Sequence, residues 1–403
     1  MQTFPRLTRL DDLLPHIEDR KEFFVAERPE FLIVDYTFVD KTTFQPDSEI
    51  DEAALSAAIR RECRGLKFDK ADRSIIGRAY HKFFNVGEWP ELTPERIDWR
   101  RDHVVLEKLD GSMVHASEVE GRLVFATRMG ATPTARRALA HARAAIEVDY
   151  EGFCLALLRQ GFTPVFEWCS PEDRVVLGYR QDDLILTALR SLDSGSYLPW
   201  PELQRLSSAW GLPLVPAHPV TLEDPLAFID EIRGLEDSEG CVVRFAEGEM
   251  LKLKTEDYTL RHSLLTDIRA EKFALRVVLQ GRDDDARALL PPPQAAALAE
   301  YALAVQSGLR ATAARLRAFV ETARARSGGD RKAFALAVQA ELPPQLQGAA
   351  FRLWLGAEPL AALTEAALKG LRSQTAVDAV RPLWGAAVWA DFLSEAGSGA
   401  GEP

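Results

Sequence analysis

Lys108 is set directly before a glycine turn in a segment that otherwise reads as strand. It lies in Glu107-Lys108-Leu109-Asp110-Gly111-Ser112, between the apolar runs Val104-Val105-Leu106 and Met113-Val114. Asp110-Gly111 is turn chemistry of the kind that joins paired strands, so the lysine is expected on the rigid edge of a hairpin. Taken alone, a Lys-x-Asp-Gly tetrad is better explained as a solvated hairpin lysine. Five further segments embed charge in apolar or aromatic runs: Arg64-Gly65-Leu66-Lys67-Phe68, His81-Lys82-Phe83-Phe84-Asn85, Val165-Phe166-Glu167-Trp168, Ser238-Glu239-Gly240-Cys241 and Leu251-Lys252-Leu253-Lys254. Burying such a charge is costly unless an opposite charge or a ligand satisfies it, and several together point to one site. Lys252 and Lys254 are two apart on an expected strand, so both face one side and Leu253 faces the core. Paired cations on one face suit neutralisation of a transferring phosphoryl group.

In order and spacing these segments resemble the covalent nucleotidyltransferases, most closely the T4 RNA ligase 1-like family of ATP-dependent RNA ligases. Lys108-Leu109-Asp110-Gly111-Ser112 is similar to the nucleophile motif, Phe166-Glu167-Trp168 to the third, Ser238-Glu239-Gly240 to the fourth and Lys252-Leu253-Lys254 to the fifth. Arg64-Gly65 and Lys82-Phe83-Phe84-Asn85 look like the upstream elements of that branch, and Thr127-Arg128 like the basic element after the nucleophile hairpin. The resemblance covers roughly residues 30 to 260.

The resemblance implies that Lys108 attacks the α-phosphate of ATP to give a lysyl-AMP, that the AMP passes to an RNA 5′-phosphate, and that a 3′-hydroxyl then seals the strand. The amine must be neutral to react. The implied catalytic residues are Lys108, Glu239, Lys252 and Lys254. Glu167 would bind the ribose hydroxyls, and Arg64 and Lys82 the β and γ phosphates. Glu107, Asp110, Gly111, Thr127 and Arg128 complete the implied nucleotide site. Glu239, with Asp110, would hold Mg2+ or Mn2+. The implied partner is RNA with 5′-phosphate and 3′-hydroxyl ends, a cleaved tRNA among the candidates. No G-x-x-x-x-G-K-[ST] loop is present, so end healing would fall to a separate kinase or phosphatase. Two alternatives stay open: the same chemistry on single-stranded DNA or a protein, and a non-catalytic RNA-end binding protein.

The chain has 403 residues, 47% of them hydrophobic, enough for one large core and a smaller one. Cys63, Cys154, Cys169 and Cys241 form no C-x-x-C pair, which argues against a zinc site and against a disulfide framework. Residues Met1 to Leu14 carry interspersed charge, and no stretch approaches the roughly 20 apolar residues of a membrane span. A monomeric cytoplasmic enzyme without a membrane partner is expected. The net charge of -12 is unfavourable for nucleic acid, but Arg60, Arg61, Arg64, Lys67, Lys70, Arg73, Arg78 and Lys82 make a local basic segment. Arg310, Arg317 and Arg324 recur along one face of an expected helix, where a solvated charged surface fits better than an RNA-binding face. Phe83, Phe84, Trp89 and Trp168 are expected in the core with one exception that stacks on a base.

Strands are expected at 31–39, 66–68, 104–107, 113–119, 123–127, 163–168, 184–190, 241–245 and 250–253, and helices at 135–145, 153–160, 200–210 and 225–233. The expected fold class is therefore α+β. With the resemblance it becomes a nucleotidyltransferase (ATP-grasp-like ligase) domain of antiparallel sheets with flanking helices over 1–260, followed by an all-α C-terminal domain over 261–395 that would select the RNA substrate. That second domain is expected from alanine, leucine and arginine at helical spacing, broken at Gly281, Pro291-Pro292-Pro293, Gly328-Gly329, Pro343-Pro344 and Gly356. DNA ligases and capping enzymes fit less well, because an OB-fold needs five strands and no strand alternation follows. The glycine-rich 396–403 segment is expected to be a disordered tail.

Overall fold

The computed structural model describes residues 4–48, 50–218 and 224–396, and it divides into two compact units between Thr259 and Leu260. The first unit runs β1 (Phe23–Glu27), β2 (Leu32–Tyr36), α1 (Asp51–Glu62), β3 (Leu66–Phe68), β4 (Ile75–Gly77), β5 (Phe84–Asn85), β6 (His103–Glu107), β7 (Ser112–Val119) and β8 (Arg122–Ala126). It continues through α2 (Pro133–Ala144), α3 (Tyr150–Arg159), β9 (Phe162–Cys169), β10 (Asp183–Ser191), α4 (Trp200–Trp210), β11 (Ala217–His218), α5 (Pro225–Arg233), β12 (Gly240–Phe245) and β13 (Met250–Lys254). This is the α+β class.

Three sheets form, with strand orders β1-β2-β3-β4, β10-β9-β7-β8 and β11-β6-β12-β13-β5. Among the described strands, the ladders are antiparallel except that of β13 with β5. α2 and α3 cover one face of the β10-β9-β7-β8 sheet, burying Val114, Phe125, Phe153, Phe166 and Trp168. α5 buries Phe228 and Ile229 against Val243, Leu251 and Leu253 of the five-stranded sheet. β13 alternates as its sequence demands: Leu251 and Leu253 are buried, Lys252 and Lys254 are part-exposed on the other face.

The hairpin expected at Lys108–Ser112 does not exist. β6 and β7 belong to different sheets, and the Leu109-Asp110-Gly111 connection carries the chain from one to the other. Asp-Gly is equally at home in a crossover bend, and local turn chemistry does not say which strand the chain pairs with next. The hairpin that does form is β7–β8, closed at Glu120-Gly121.

Beyond Lys254 the described residues form helices and no strands. α6 (Glu256–Asp267) leads on to α7 (Glu271–Leu279), α8 (Asp283–Leu289), α9 (Pro292–Arg326), α10 (Arg331–Glu341), α11 (Pro344–Trp354), α12 (Pro359–Lys369), α13 (Gln374–Val380) and α14 (Trp389–Ala396). α9 buries Leu298, Tyr301, Val305, Leu309, Leu316 and Val320 along one stripe. Glu271 is the polar centre of this unit, accepting from both outer nitrogens of Arg381 at 2.6 and 2.7 Å and from the Tyr301 hydroxyl at 3.0 Å. Arg310, Arg317 and Arg324 are exposed, as a solvated face requires. Arg324 also donates to Trp354 O, and Arg317 lies 3.7 Å from Glu358. No helix among the described residues is long and apolar enough to cross a membrane, and all four cysteines are buried and unpaired. Of the tail expected to be disordered over 396–403, Ala396 is the last residue of α14 and the rest lies outside the described residues.

Candidate active site

Lys108 follows the last residue of β6, and its backbone N–H donates to Gly240 O of β12 at 2.9 Å. The five-stranded sheet therefore holds the lysine up to its own Cα. Gly111 then passes tightly under β9: a Cβ there would lie 2.5 Å from Trp168 O and 3.0 Å from Glu167 Cγ. Glycine is required for this approach of two chains.

Asp110 anchors the crossover. It is buried, and one carboxylate oxygen accepts from the Val176 and Leu177 N–H groups at 2.8 and 2.5 Å while the other accepts from the Tyr258 hydroxyl at 2.7 Å. Its own N–H donates to the Tyr179 hydroxyl oxygen at 2.9 Å. Both Asp110 oxygens are thus engaged within the protein, where they tie the crossover to Val176, Leu177 and Tyr258. Asp110→Ala orphans two backbone donors and a phenol, so a loss of about 2–4 kcal/mol is expected, read as the shift in urea unfolding relative to wild type.

Lys108 Nζ lies 2.7 Å from Glu239 Oε1, and Lys254 Nζ lies 3.1 Å from the same oxygen. Glu239 is almost fully buried beneath the two lysines. Lys252 sits opposite Val242 and Lys254 opposite Gly240 in the β12–β13 ladder, which puts both on one face. Lys252 Nζ lies 4.6 Å from the centre of the Phe83 ring.

Between the two larger sheets opens a cleft of about 250 Å3, lined by Lys108, Glu107, Glu167, Lys252, Arg64 and Phe83 together with apolar strand residues. Burial pushes the Glu167 carboxyl up to about 8, against the pull of Lys108. Burial, with Arg64, Lys82, Lys108 and Lys254 nearby, pulls the Lys252 amine down to about 6. Arg64 brings a guanidinium whose Nη1 is buried without a hydrogen-bond partner. The cleft is thus a partly desolvated polar pocket with donors to spare for an anion.

Glu239 fits a divalent cation: its carboxylate is a hard oxygen donor held at the nucleophile. One carboxylate leaves most of the coordination of Mg2+ or Mn2+ to water and phosphate oxygens. No cluster of three metal-ligating side chains occurs among the described residues.

A family model described as RNA ligase matches residues 62–260. A candidate RNA ligase of Thermovibrio ammonificans is 30% identical over 292 residues, 70% of this chain and 72% of that protein. The chain belongs to the RNA ligase family. RNA ligase 1 of bacteriophage TS2126 is 34% identical over 208 residues, 48% of this chain and 50% of the phage protein, so the chain spans half the length of that relative. Among solved structures, an archaeal ATP-dependent RNA ligase is 18% identical over 64% of each chain, with a TM-score of 0.43.

In this member of the RNA ligase family, Glu107, Lys108, Gly111, Glu167, Glu239, Lys252, Lys254 and Arg64 come together at the cleft. Lys82 lies in an adjoining cavity of about 180 Å3 beside Arg61, its Nζ 5.2 Å from the Phe84 ring centre. Thr127 and Arg128 do not line the cleft. The Thr127 hydroxyl donates to Gly130 O at 3.2 Å, and Arg128 is paired with the buried Asp35 at 2.8 Å and stacked on Tyr36. Thr127 closes the turn to Gly130 and Arg128 pairs with Asp35, so both side chains are engaged at the turn after β8. Of the four aromatics, Phe83 lines the cleft, while Phe84 and Trp168 are buried in cores and Trp89 packs against one.

Sequence reasoning missed Tyr80 and Thr187 in the cleft wall and Tyr258 on Asp110. Lys67, Arg60 and Arg78, counted in the local basic segment, are buried and so present no surface to nucleic acid.

Proposed function

We propose that this chain is an ATP-dependent RNA ligase that joins 5′-phosphate and 3′-hydroxyl RNA ends through a lysyl-AMP on Lys108 and an RNA-adenylate, in the service of RNA repair. The observation that carries this reading is the Glu239 oxygen shared by Lys108 and Lys254 at the mouth of a cleft lined by Lys252 and Arg64. A nucleophilic amine, a carboxylate and several cations are what nucleotidyl transfer asks of a protein.

Lys108 Nζ attacks the α-phosphorus, a P–N bond forms, and the P–O bond to the β-phosphate breaks as pyrophosphate leaves. The ammonium must first lose a proton, and Glu239 Oε1 at 2.7 Å is within reach to take it. Lys252 and Arg64 hold the phosphates, and Glu167 is placed to hydrogen-bond sugar hydroxyls. Transfer of AMP to an RNA 5′-phosphate breaks the P–N bond and returns the proton to Lys108. Attack of the 3′-hydroxyl then expels AMP. A divalent cation on Glu239, when bound, supplies charge that favours the neutral lysine and offsets the phosphates.

The test is to strip the enzyme with pyrophosphate, add α-labelled ATP with Mg2+ or Mn2+, denature it, and look for label on the protein. Chasing labelled enzyme with 5′-phosphorylated RNA, then DNA, reads the acceptor. No label from ATP sinks the mechanism, and label that moves only to DNA sinks the RNA assignment.

Nucleotide binding should also take up protons. With its amine pulled down to about 6, Lys252 is mostly neutral at pH 8, and a polyphosphate beside it favours the charged form. ATP affinity is therefore expected to fall as pH rises above about 6, by up to about tenfold per unit. Titration calorimetry in buffers of different ionisation enthalpy measures the uptake, which Lys252→Met should remove.

A further inference from the structure

Lys67 lies in β3 with no exposed surface, where an amine is costly unless fully satisfied. Its Nζ donates to Gly65 O at 2.6 Å, Thr127 O at 3.0 Å and Arg128 O at 3.2 Å. Three carbonyls match the three N–H donors of an ammonium group. Phe31 adds its ring 5.5 Å away. Burial pulls the amine down to about 7, with Asp35 acting against that shift and Arg128 and Arg28 adding to it. Nothing in the nucleotidyl-transfer chemistry uses this amine directly.

The geometry shows what it holds. Two of its carbonyls belong to the turn after β8, and the third belongs to the residue that follows Arg64. Gly65 sits at φ +74°, and a Cβ there would lie 2.7 Å from Arg128 O. The two turns are therefore in backbone contact, with Lys67 clamping both. Arg64 projects from one of them into the cleft, its Nη1 buried and without a partner. A long side chain delivers a guanidinium accurately only when its own backbone is fixed.

We propose that Lys67 is a positioning residue, which by clamping the carbonyls of Gly65, Thr127 and Arg128 fixes the turn from which Arg64 reaches the anionic end of a bound nucleotide. This rests on the reading of the cleft as a nucleoside triphosphate site. Lys67 touches no substrate and acts through Arg64. Its effect belongs on nucleotide affinity rather than on the rate of the bonded step.

The experiment measures adduct formation against ATP concentration in wild type, Lys67→Met, Arg64→Ala and the double variant, below the melting temperature of each. Lys67→Met should raise the half-saturating ATP concentration by about tenfold or more, with the saturating rate within about threefold of wild type. In the Arg64→Ala background the same change should add little, because the group through which Lys67 acts is gone. A merely stabilising lysine would leave the ATP dependence alone or contribute the same factor in both backgrounds, and either result overturns the proposal. Gly65→Ala keeps the lysine and its charge while pushing Arg128 O away, and it should show the same affinity loss and the same non-additivity. If Lys67→Met does not fold, Gly65→Ala decides. Failure of wild type to form any adduct would instead strike the proposed function and leave the clamp geometry as it is.

Discussion

Lys108→Ala is expected to bring protein labelling by α-labelled ATP to background while changing the melting temperature by less than about 3 °C. The side chain is 21% exposed, and its ion-pair partner Glu239 keeps Lys254 at 3.1 Å, so removing the amine does not orphan a buried carboxylate. Breaking a buried pair is severe only when the remaining charge has no other partner. The chemical loss, by contrast, is complete, because no P–N bond can form without the amine. The same variant should still seal RNA supplied already adenylated, within about tenfold of wild type. In that step the 3′-hydroxyl attacks the activated phosphate and AMP leaves, and Lys108 makes no bond. Glu239→Ala and Lys252→Ala should lose both activities, since the charges they manage are present in every step. Labelling of Lys108→Ala at the wild-type level would place the nucleophile elsewhere.

Glu62→Ala is expected to cost about 3–5 kcal/mol of stability, the largest single loss from any site described above. Glu62 ends α1 and is fully buried between two arginines, with Arg78 Nε at 3.0 Å and an Arg190 outer nitrogen at 2.6 Å. The other guanidinium donors are also engaged: Arg78 bonds Leu192 O, Asp193 O and Pro5 O, and Arg190 bonds Gly195 O and Ala79 O. Without the carboxylate, two positive charges remain in the core with only carbonyls to face. Burial opposes ionisation of Glu62, but Arg190 and Arg78 overcome it and hold the carboxyl down near 2 against an ordinary 4.5. The stabilisation is therefore fully present above about pH 4.5 and is lost as pH falls through 2. The gap corresponds to about 3 kcal/mol. Urea midpoints should be level from pH 7 to 5 and fall between 4.5 and 2, and Glu62→Gln should lack that part of the acid dependence. An acid profile identical in Glu62→Gln and wild type would show that the carboxylate is not the acid-sensitive member.

Several elements were legible because their signal is local. The helices Trp200–Trp210 and Pro225–Arg233 and the strand Leu66–Phe68 coincide with the expected ranges, since prolines and glycines mark their ends and apolar spacing marks their faces. The breakers at Gly281, Pro291, Gly328 and Pro343 fall between helices for the same reason. α1 was not legible. Its buried positions are Ala53, Ala57 and Ile59 together with Arg60 and Glu62, so small and charged residues occupy the face on which periodicity relies. β5, two residues long, exists only because β13 pairs with it in parallel.

The sequence by itself supplied the set of charged residues. Lys108 before Asp110-Gly111, the acidic Glu167 and Glu239 in apolar runs, and the Lys252-Leu253-Lys254 alternation mark an amine, two carboxylates and two cations set in strand-like runs, because residue type and a period of two are local properties. Tertiary structure decided which of them share an atom and which hold the frame. Val176, Leu177 and Tyr258 meet the oxygens of Asp110, and Asp35 meets the guanidinium of Arg128. Those partners lie 66 to 148 residues away from Asp110, and the Glu62 cluster closes over 16 and 128 residues. A charge buried in the fold takes its role from whatever the packing of separate sheets brings within hydrogen-bond distance, and that pairing is written in no local stretch of the chain.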